Sequence, residues 1–215
     1  MTPAEQSRRA AEICALAPVI PVLVIEEAGQ ARGLAEALVA GGLPALEVTL
    51  RTPAALDAIR AMAEVPGGVV GAGTLLTPED VRAAKEAGAV FGVSPGATPR
   101  LLEACAEAGL PLLPGAATAS EVMALLEQGY HVQKFFPAEA IGGARALAAL
   151  GGPLPQVSFC PTGGITPALA PDYLKLANVA CVGGSWVAPK DAVAAADWAA
   201  VTALARDAAA LAAGA

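Results

Sequence analysis

Lys134 stands inside YHVQKFFPAEAIGG, residues 130–143, a stretch that otherwise reads as the strand of a buried sheet. The other three lysines, Lys85, Lys175 and Lys190, fall in helices or helix junctions, where a solvated surface role is expected. Burial disfavours the charged form of an amine, and a neutral amine is a nucleophile towards ketones. A second chemical pair stands in ALEVTLRT, from Ala45. Alternation along a strand puts Glu47, Thr49 and Arg51 on one face and Leu46, Val48 and Leu50 on the other. The apolar set is expected to pack on helices, so that Glu47 points inward and Arg51 stands above it at the C-terminal mouth. A buried Glu47–Arg51 ion pair without any chemistry accounts for the same pattern. In the lysine strand the same parity groups Val132, Lys134 and Phe136, less cleanly because Gln133 falls on the opposite face. Thr74 ends GVVGAGT after Val70 and Ala72, both read as inward, and is expected at the same mouth.

Two glycine-rich turns come late in the chain: PTGGIT, with Gly163 and Gly164, and VGGSW, with Gly183, Gly184 and Ser185. Glycine lets backbone N–H groups surround a phosphate, and Ser185 adds a hydroxyl donor. Either turn alone also serves a tight strand-to-helix connection. His131 is the only histidine and is expected to face the helices or the lower rim in a packing or hydrogen-bonding role. With one histidine and no carboxylate cluster at ligand spacing, metal-dependent chemistry is disfavoured. Cys14, Cys105, Cys160 and Cys181 are widely spaced without a CxxC pair, which predicts reduced thiols rather than a disulfide framework or zinc site.

These groups need a scaffold that aims them at one place. Short runs rich in Val, Ile and Leu recur from Pro18, Ala45, Gly68, Ala89, Leu110, Tyr130, Gln156 and Asn178, giving eight expected strands. Most segments between them carry apolar residues at helical spacing. In ARGLAEALVAGG, Leu34, Leu38 and Val39 share a face, and Gly41 and Gly42 end the helix. Thr77-Pro78, Thr98-Pro99 and Thr166-Pro167 read as N-caps followed by proline at the first helical position. Alternation of strand and helix implies parallel pairing with helices outside, and eight units fit an α/β (β/α)8 TIM barrel, one domain over residues 1–215. A doubly wound sheet is the alternative, but no GxGxxG follows the first strand. The residues before Pro18 are expected to form an extra N-terminal helix, and the Ala-rich segment from Val187 the last helix.

Composition sets the outer bounds. Hydrophobic residues make up 55% of the 215 and aromatics only 4%, so the core must be built from aliphatic side chains. A formal charge of −7 without a Lys/Arg stripe argues against nucleic acid or an anionic membrane as partner, while a small anion remains compatible with a few local donors. The charged-then-apolar SRRAAEICALAPVIPV is interrupted by Glu12 and two prolines, and no apolar run reaches membrane-spanning length, so a cytoplasmic location is expected.

LEVTLRT, GAGT, SPG, KFFPAE, FCPTGGI and GGSW, in this order and spacing, resemble the Schiff-base aldolases acting on 2-dehydro-3-deoxy-6-phosphogluconate (KDPG) and 4-hydroxy-2-oxoglutarate (KHG). The likeness runs from about Pro18 to Pro189. It implies a (β/α)8 homotrimer that takes a phosphorylated 2-keto-3-deoxy sugar acid to pyruvate and glyceraldehyde 3-phosphate, with no cofactor and no metal. Carried over motif by motif, Lys134 forms the Schiff base and Glu47 is the general acid/base. Arg51 and Thr74 hold the pyruvate carboxylate, with Pro95 of SPG at the same end. Thr162 contacts the sugar hydroxyls, and Gly163, Gly164, Gly184 and Ser185 hold the phosphate. Three other readings stay open: the galactonate epimer as substrate, 4-hydroxy-2-oxoglutarate, which lacks a phosphate, and a non-catalytic barrel that binds a phosphate ligand, in which inward Glu47 and Lys134 form only a salt bridge.

Overall fold

The computed structural model describes residues 1–211. A helix α1 (Pro3–Cys14) opens the chain, its end capped by the Thr2 and Glu5 side chains. Strands and helices then alternate: β1 (Val19–Leu23), α2 (Ala31–Ala40), β2 (Ala45–Thr49), α3 (Ala55–Ala63), β3 (Val69–Gly73), α4 (Pro78–Glu86), β4 (Phe91–Val93) and α5 (Pro99–Ala108). The second half runs β5 (Leu112–Leu113), β6 (Gly115–Ala116), α6 (Ala119–Glu127), β7 (Val132–Phe135), α7 (Gly143–Gly151), β8 (Ser158–Pro161), α8 (Ala170–Leu174) and β9 (Val182–Gly184). Two helices, α9 (Lys190–Ala194) and α10 (Trp198–Ala209), close it, where one was expected from Val187. The last four residues of that expected helix lie outside the described residues.

All strand pairs are parallel, as the alternation predicted. They form a six-stranded sheet in the order β5-β4-β3-β2-β1-β9 and a three-stranded sheet β6-β7-β8. Among the described residues nine strands replace the expected eight, because Pro114, which has no N–H to give a ladder, separates β5 from β6. The carbonyl of Pro114 still accepts from Lys134 N at 2.8 Å. At the other side, isolated parallel bridges link Phe159 to Val179 and Thr162 to Gly183.

Two apolar clusters lie on opposite faces of the strands. The larger packs Leu46, Val48, Val70 and Ala72 against helix residues such as Leu34, Leu38 and Ile59. The smaller gathers Ile20, Ala45, Phe91, Leu113, Val132, Cys160 and Cys181 from both sheets, with Ala10 and Cys14 of α1. The parity expected for β2 and β7 therefore holds, and Gln133 faces α6, its amide donating to the carbonyls of Val122 and Tyr130. For β3 it is reversed. Val70 and Ala72 face the helices, and Val69, Gly71 and Gly73 face inward. A strand with glycine at two of its three inner positions shows no clear inward apolar pattern in its sequence, so the parity was read off the wrong residues.

Thr77 and Thr98 cap α4 and α5 as expected, each with proline in the first turn. Thr166-Pro167 does not: the Thr166 carbonyl accepts from Leu169 and Ala170 N–H groups in a turn, and α8 begins at Ala170. Thr118, which no Pro follows, caps α6 in a capping box with Glu121.

Candidate active site

Glu47 comes from β2 and Lys134 from β7, on different sheets. Lys134 Nζ donates to Glu47 Oε1 at 3.2 Å, with side-chain exposures of 6% and 4%. The Glu47–Arg51 pair weighed from sequence is not formed; the partner of Glu47 stands 87 positions away. Removing one member of such a buried pair typically costs about 3–5 kcal/mol, because the survivor keeps its desolvation penalty.

Glycine makes the space for this contact. A Cβ on Gly73, paired in register with Thr49, would stand 2.3 Å from Glu47 Oε1. Lys134 is in register with Gly115 on one side and Cys160 on the other. Its Nζ also lies 5.3 Å from the centroid of the Phe136 ring, within cation–π range. Cys14, Cys160 and Cys181 are buried in the inner cluster below it. His131 is exposed at the opposite end of β7, where Nδ1 meets the Gln156 carbonyl at 3.4 Å, which agrees with a lower-rim role. Lys85, Lys175 and Lys190 are exposed, so Lys134 is the buried amine.

Arg51 follows β2 and is exposed, its Nε donating to Thr74 Oγ1 at 3.3 Å. Thr74 has φ +62°, a left-handed conformation that costs a β-branched residue about 1–3 kcal/mol. That reversal just past Gly73 is what brings Thr74 to Arg51 although the inward parity assigned to its strand was wrong. Among the described residues Arg51 forms no salt bridge, so its guanidinium keeps donors free for an anion.

A cavity of about 250 Å³ opens beside Arg51 and is lined by Phe136, Thr162, Gly163, Gly164, Gly183, Gly184 and Ser185. Thr162 is buried, and a Cβ on Gly183 would collide with its Oγ1 at 2.2 Å. Gly163 and Gly164 have φ +107° and +80°, which only glycine adopts without strain. The cavity thus unites Arg51 with the residues expected at the hydroxyl and phosphate end. Lys134 and Glu47 lie deeper, joined to it through Phe136. Pro95 does not line this cavity; its carbonyl stands against Gly115, the in-register strand neighbour of Lys134, on the face that Lys134 shares. A larger cavity of about 310 Å³ next door shares Val22, Val24 and Ser185, but it is mostly apolar, with Lys190 its only charged side chain.

Sequence reasoning gave no role in the site to Phe136, Val22, Val24 or Ile165, all of which line the smaller cavity. Phe136 was findable, since it shares the parity of Lys134. Val22 was findable too, since it lies within β1 in register with Glu47 and shares the parity of Ile20; Val24 and Ile165 lie beyond strand ends, where alternation gives no direction. Among the described residues, no group of three or more His, Cys, Asp or Glu is placed to hold a metal ion.

Comparisons with known proteins bear on this arrangement. Residues 10–204 match the family described as KDPG and KHG aldolase. The KHG/KDPG aldolase of Escherichia coli K12 is 53% identical over 200 residues, 93% of this chain and 94% of that one. The crystal structure of the 2-keto-3-deoxy-6-phosphogluconate aldolase of Zymomonas mobilis ZM4 with 3-phosphoglycerate superposes with a TM-score of 0.92 at 53% identity, covering 97% of this chain and 100% of that one. That of the Legionella pneumophila KDPG aldolase, with pyruvate captured as a covalent carbinolamine intermediate, gives 0.90 at 48% identity, covering 93% and 97%.

Proposed function

The chain belongs to the KDPG and KHG aldolase family, and from that premise we propose that it cleaves 2-dehydro-3-deoxy-6-phosphogluconate to pyruvate and glyceraldehyde 3-phosphate through a Schiff base. The observation that carries this reading is the buried Lys134–Glu47 contact at 3.2 Å, set below a cavity that ends in two glycine turns.

In this reading Glu47 takes a proton from the Lys134 ammonium, leaving an amine that attacks the C2 ketone. Loss of water gives a protonated imine, the electron sink for the next step. Glu47 removes the proton of the C4 hydroxyl, the C3–C4 bond breaks, and its electrons pass into the imine to give an enamine while the aldehyde departs. Protonation at C3 and hydrolysis of the imine release pyruvate and restore the amine. Arg51 grips the carboxylate next to C2, held in orientation by Thr74, with Pro95 lining the same end. A guanidinium fork suits a carboxylate better than a lysine would. Thr162 reads the sugar hydroxyls, and Gly163, Gly164, Gly184 and Ser185 take the phosphate.

Because the imine is the electron sink, activity should survive chelating agents. We also infer a homotrimer in the cytoplasm, on the resemblance alone; among the described residues no helix is long and apolar enough to cross a membrane. The two sheets we read as one closed (β/α)8 barrel and one domain, with β5 and β6 counted as a single strand broken at Pro114. The bridges from Phe159 and Thr162 to the β9 side support closure, as does the apolar cluster that both sheets share.

The test is borohydride reduction in the presence of pyruvate, followed by peptide mass spectrometry. A pyruvate-derived adduct on Lys134, absent from Lys134→Ala, is expected. Full activity in Lys134→Ala would end the proposal, and no adduct on the wild type would favour a silent phosphate-binding barrel. Activity on 4-hydroxy-2-oxoglutarate is a second reading, supported by the double name of the E. coli relative. Pyruvate release from the gluconate and galactonate substrates, compared directly, decides the epimer.

A further inference from the structure

Glu139 and Tyr173 have no role in the reaction above, yet both are built onto the Gly163–Gly164 turn. Glu139 follows β7, and its backbone N–H donates to the Gly163 carbonyl at 3.1 Å. The preceding residue, Ala138, donates in the same way to the Thr162 carbonyl at 2.8 Å. A peptide unit is planar and trans, so its N–H points opposite to its C=O. With the Thr162 and Gly163 carbonyls drawn towards Ala138 and Glu139, the N–H groups of Gly163 and Gly164 are turned to the other side.

What fixes Glu139 is a phenol. Tyr173, on α8, is 1% exposed, and its hydroxyl donates to Glu139 Oε1. Burial, and after it the hydrogen bond to the Glu139 carboxylate, push the Tyr173 hydroxyl above its usual range, so it remains a donor at physiological pH. Gly143 leaves room for the contact: a Cβ there would stand 3.2 Å from Glu139 Oε1 and 3.4 Å from the Tyr173 hydroxyl. On its other side, Glu139 Cβ lies 2.9 Å from where a Cβ on Gly164 would stand.

We propose that the Tyr173–Glu139 hydrogen bond is a positioning device that sets the aim of the Gly163 and Gly164 N–H groups, and so selects for a phosphorylated substrate over one without phosphate. The inference rests on the reading that these turns take the phosphate.

Tyr173→Phe keeps the ring and removes only the donor. It is to be compared with wild type on 2-dehydro-3-deoxy-6-phosphogluconate, on 4-hydroxy-2-oxoglutarate, and in inhibition by inorganic phosphate. The expected result is a KM for the phosphorylated substrate raised about five- to tenfold, less than the full worth of one hydrogen bond to a charged group because the bond acts on the phosphate only through the turn. kcat should stay within about twofold, phosphate inhibition should weaken in parallel, and the KM for 4-hydroxy-2-oxoglutarate should not move. Glu139→Gln, which keeps an acceptor, should stay near wild type, while Glu139→Ala should behave like Tyr173→Phe and replaces it if that variant does not fold. Equal losses on both substrates, or none on either, would overturn the device while leaving the aldolase reading intact. A wild type that traps pyruvate but is insensitive to inorganic phosphate would overturn the phosphate assignment and the device together.

Discussion

Glu47 has two tasks in the proposed chemistry, as counter-charge to Lys134 and as proton carrier, and Glu47→Gln separates them by keeping the shape and removing the base. Pyruvate should still be trapped on Lys134 by borohydride, but slowly, and kcat should fall by about 10²- to 10⁴-fold, the usual worth of a general base. Trapping and turnover at the wild-type rate would remove Glu47 from the mechanism. A purely structural ion pair predicts something else: stability lost on either substitution, with no adduct in any variant. At this scale the sequence was highly legible. Residue type and strand parity identified Lys134 and Glu47 and brought them to one mouth with Arg51 and Thr74, but left open whether Glu47 pairs with Arg51 or with Lys134, because contacts across 87 positions leave no trace in local spacing.

Strand β3 shows how an element without functional side chains shapes the site. Its inward positions Gly71 and Gly73 receive the Phe91 ring and the Glu47 side chain. In Gly73→Ala the new Cβ overlaps the carboxylate, the movable end of a side chain, so Glu47 should swing off Lys134 while the fold persists. The expected outcome is a kcat loss like that of Glu47→Gln with an unchanged circular dichroism spectrum. Gly71→Ala instead meets an enclosed ring at 2.4 Å, and should cost about 1–3 kcal/mol of stability by overpacking, read from the urea midpoint. Retained kcat in Gly73→Ala would refute this division. The wrong parity for β3 has the same origin, since apolar alternation is silent where the packing residue is absent.

Across the whole molecule, α1 ties the two sheets together. Gln6 Oε1 accepts from Leu112 N of β5 at 3.2 Å, and Ser7 Oγ accepts from His131 and Val132 N–H groups at the start of β7, at 2.8 and 3.0 Å. Ala10 and Cys14 then close the inner cluster. Ser7→Ala strips two backbone donors of their partner and should destabilise the protein by about 1–3 kcal/mol, measured by urea denaturation, with pyruvate trapping retained below the transition. An unchanged midpoint would show that water replaces the hydroxyl without loss. The extra helix before Pro18 was expected; its role in joining the sheets was not, because Gln6 and Ser7 read as ordinary polar residues until the strand N–H groups they satisfy are in place.

The sequence by itself determined the alternation of strand and helix, the inward face of β2 and β7, and the residues able to perform amine and carboxylate chemistry. These follow from local rules, namely side-chain period, capping and the backbone freedom of glycine. Only the tertiary structure decided that Glu47 meets Lys134, that Arg51 turns to Thr74, that Phe136 joins the buried pair to the cavity, and that Glu139 and Tyr173 brace the Gly163–Gly164 turn. Each of these depends on which strands and loops become neighbours, and that is set by packing of the whole chain rather than by the period of any one segment.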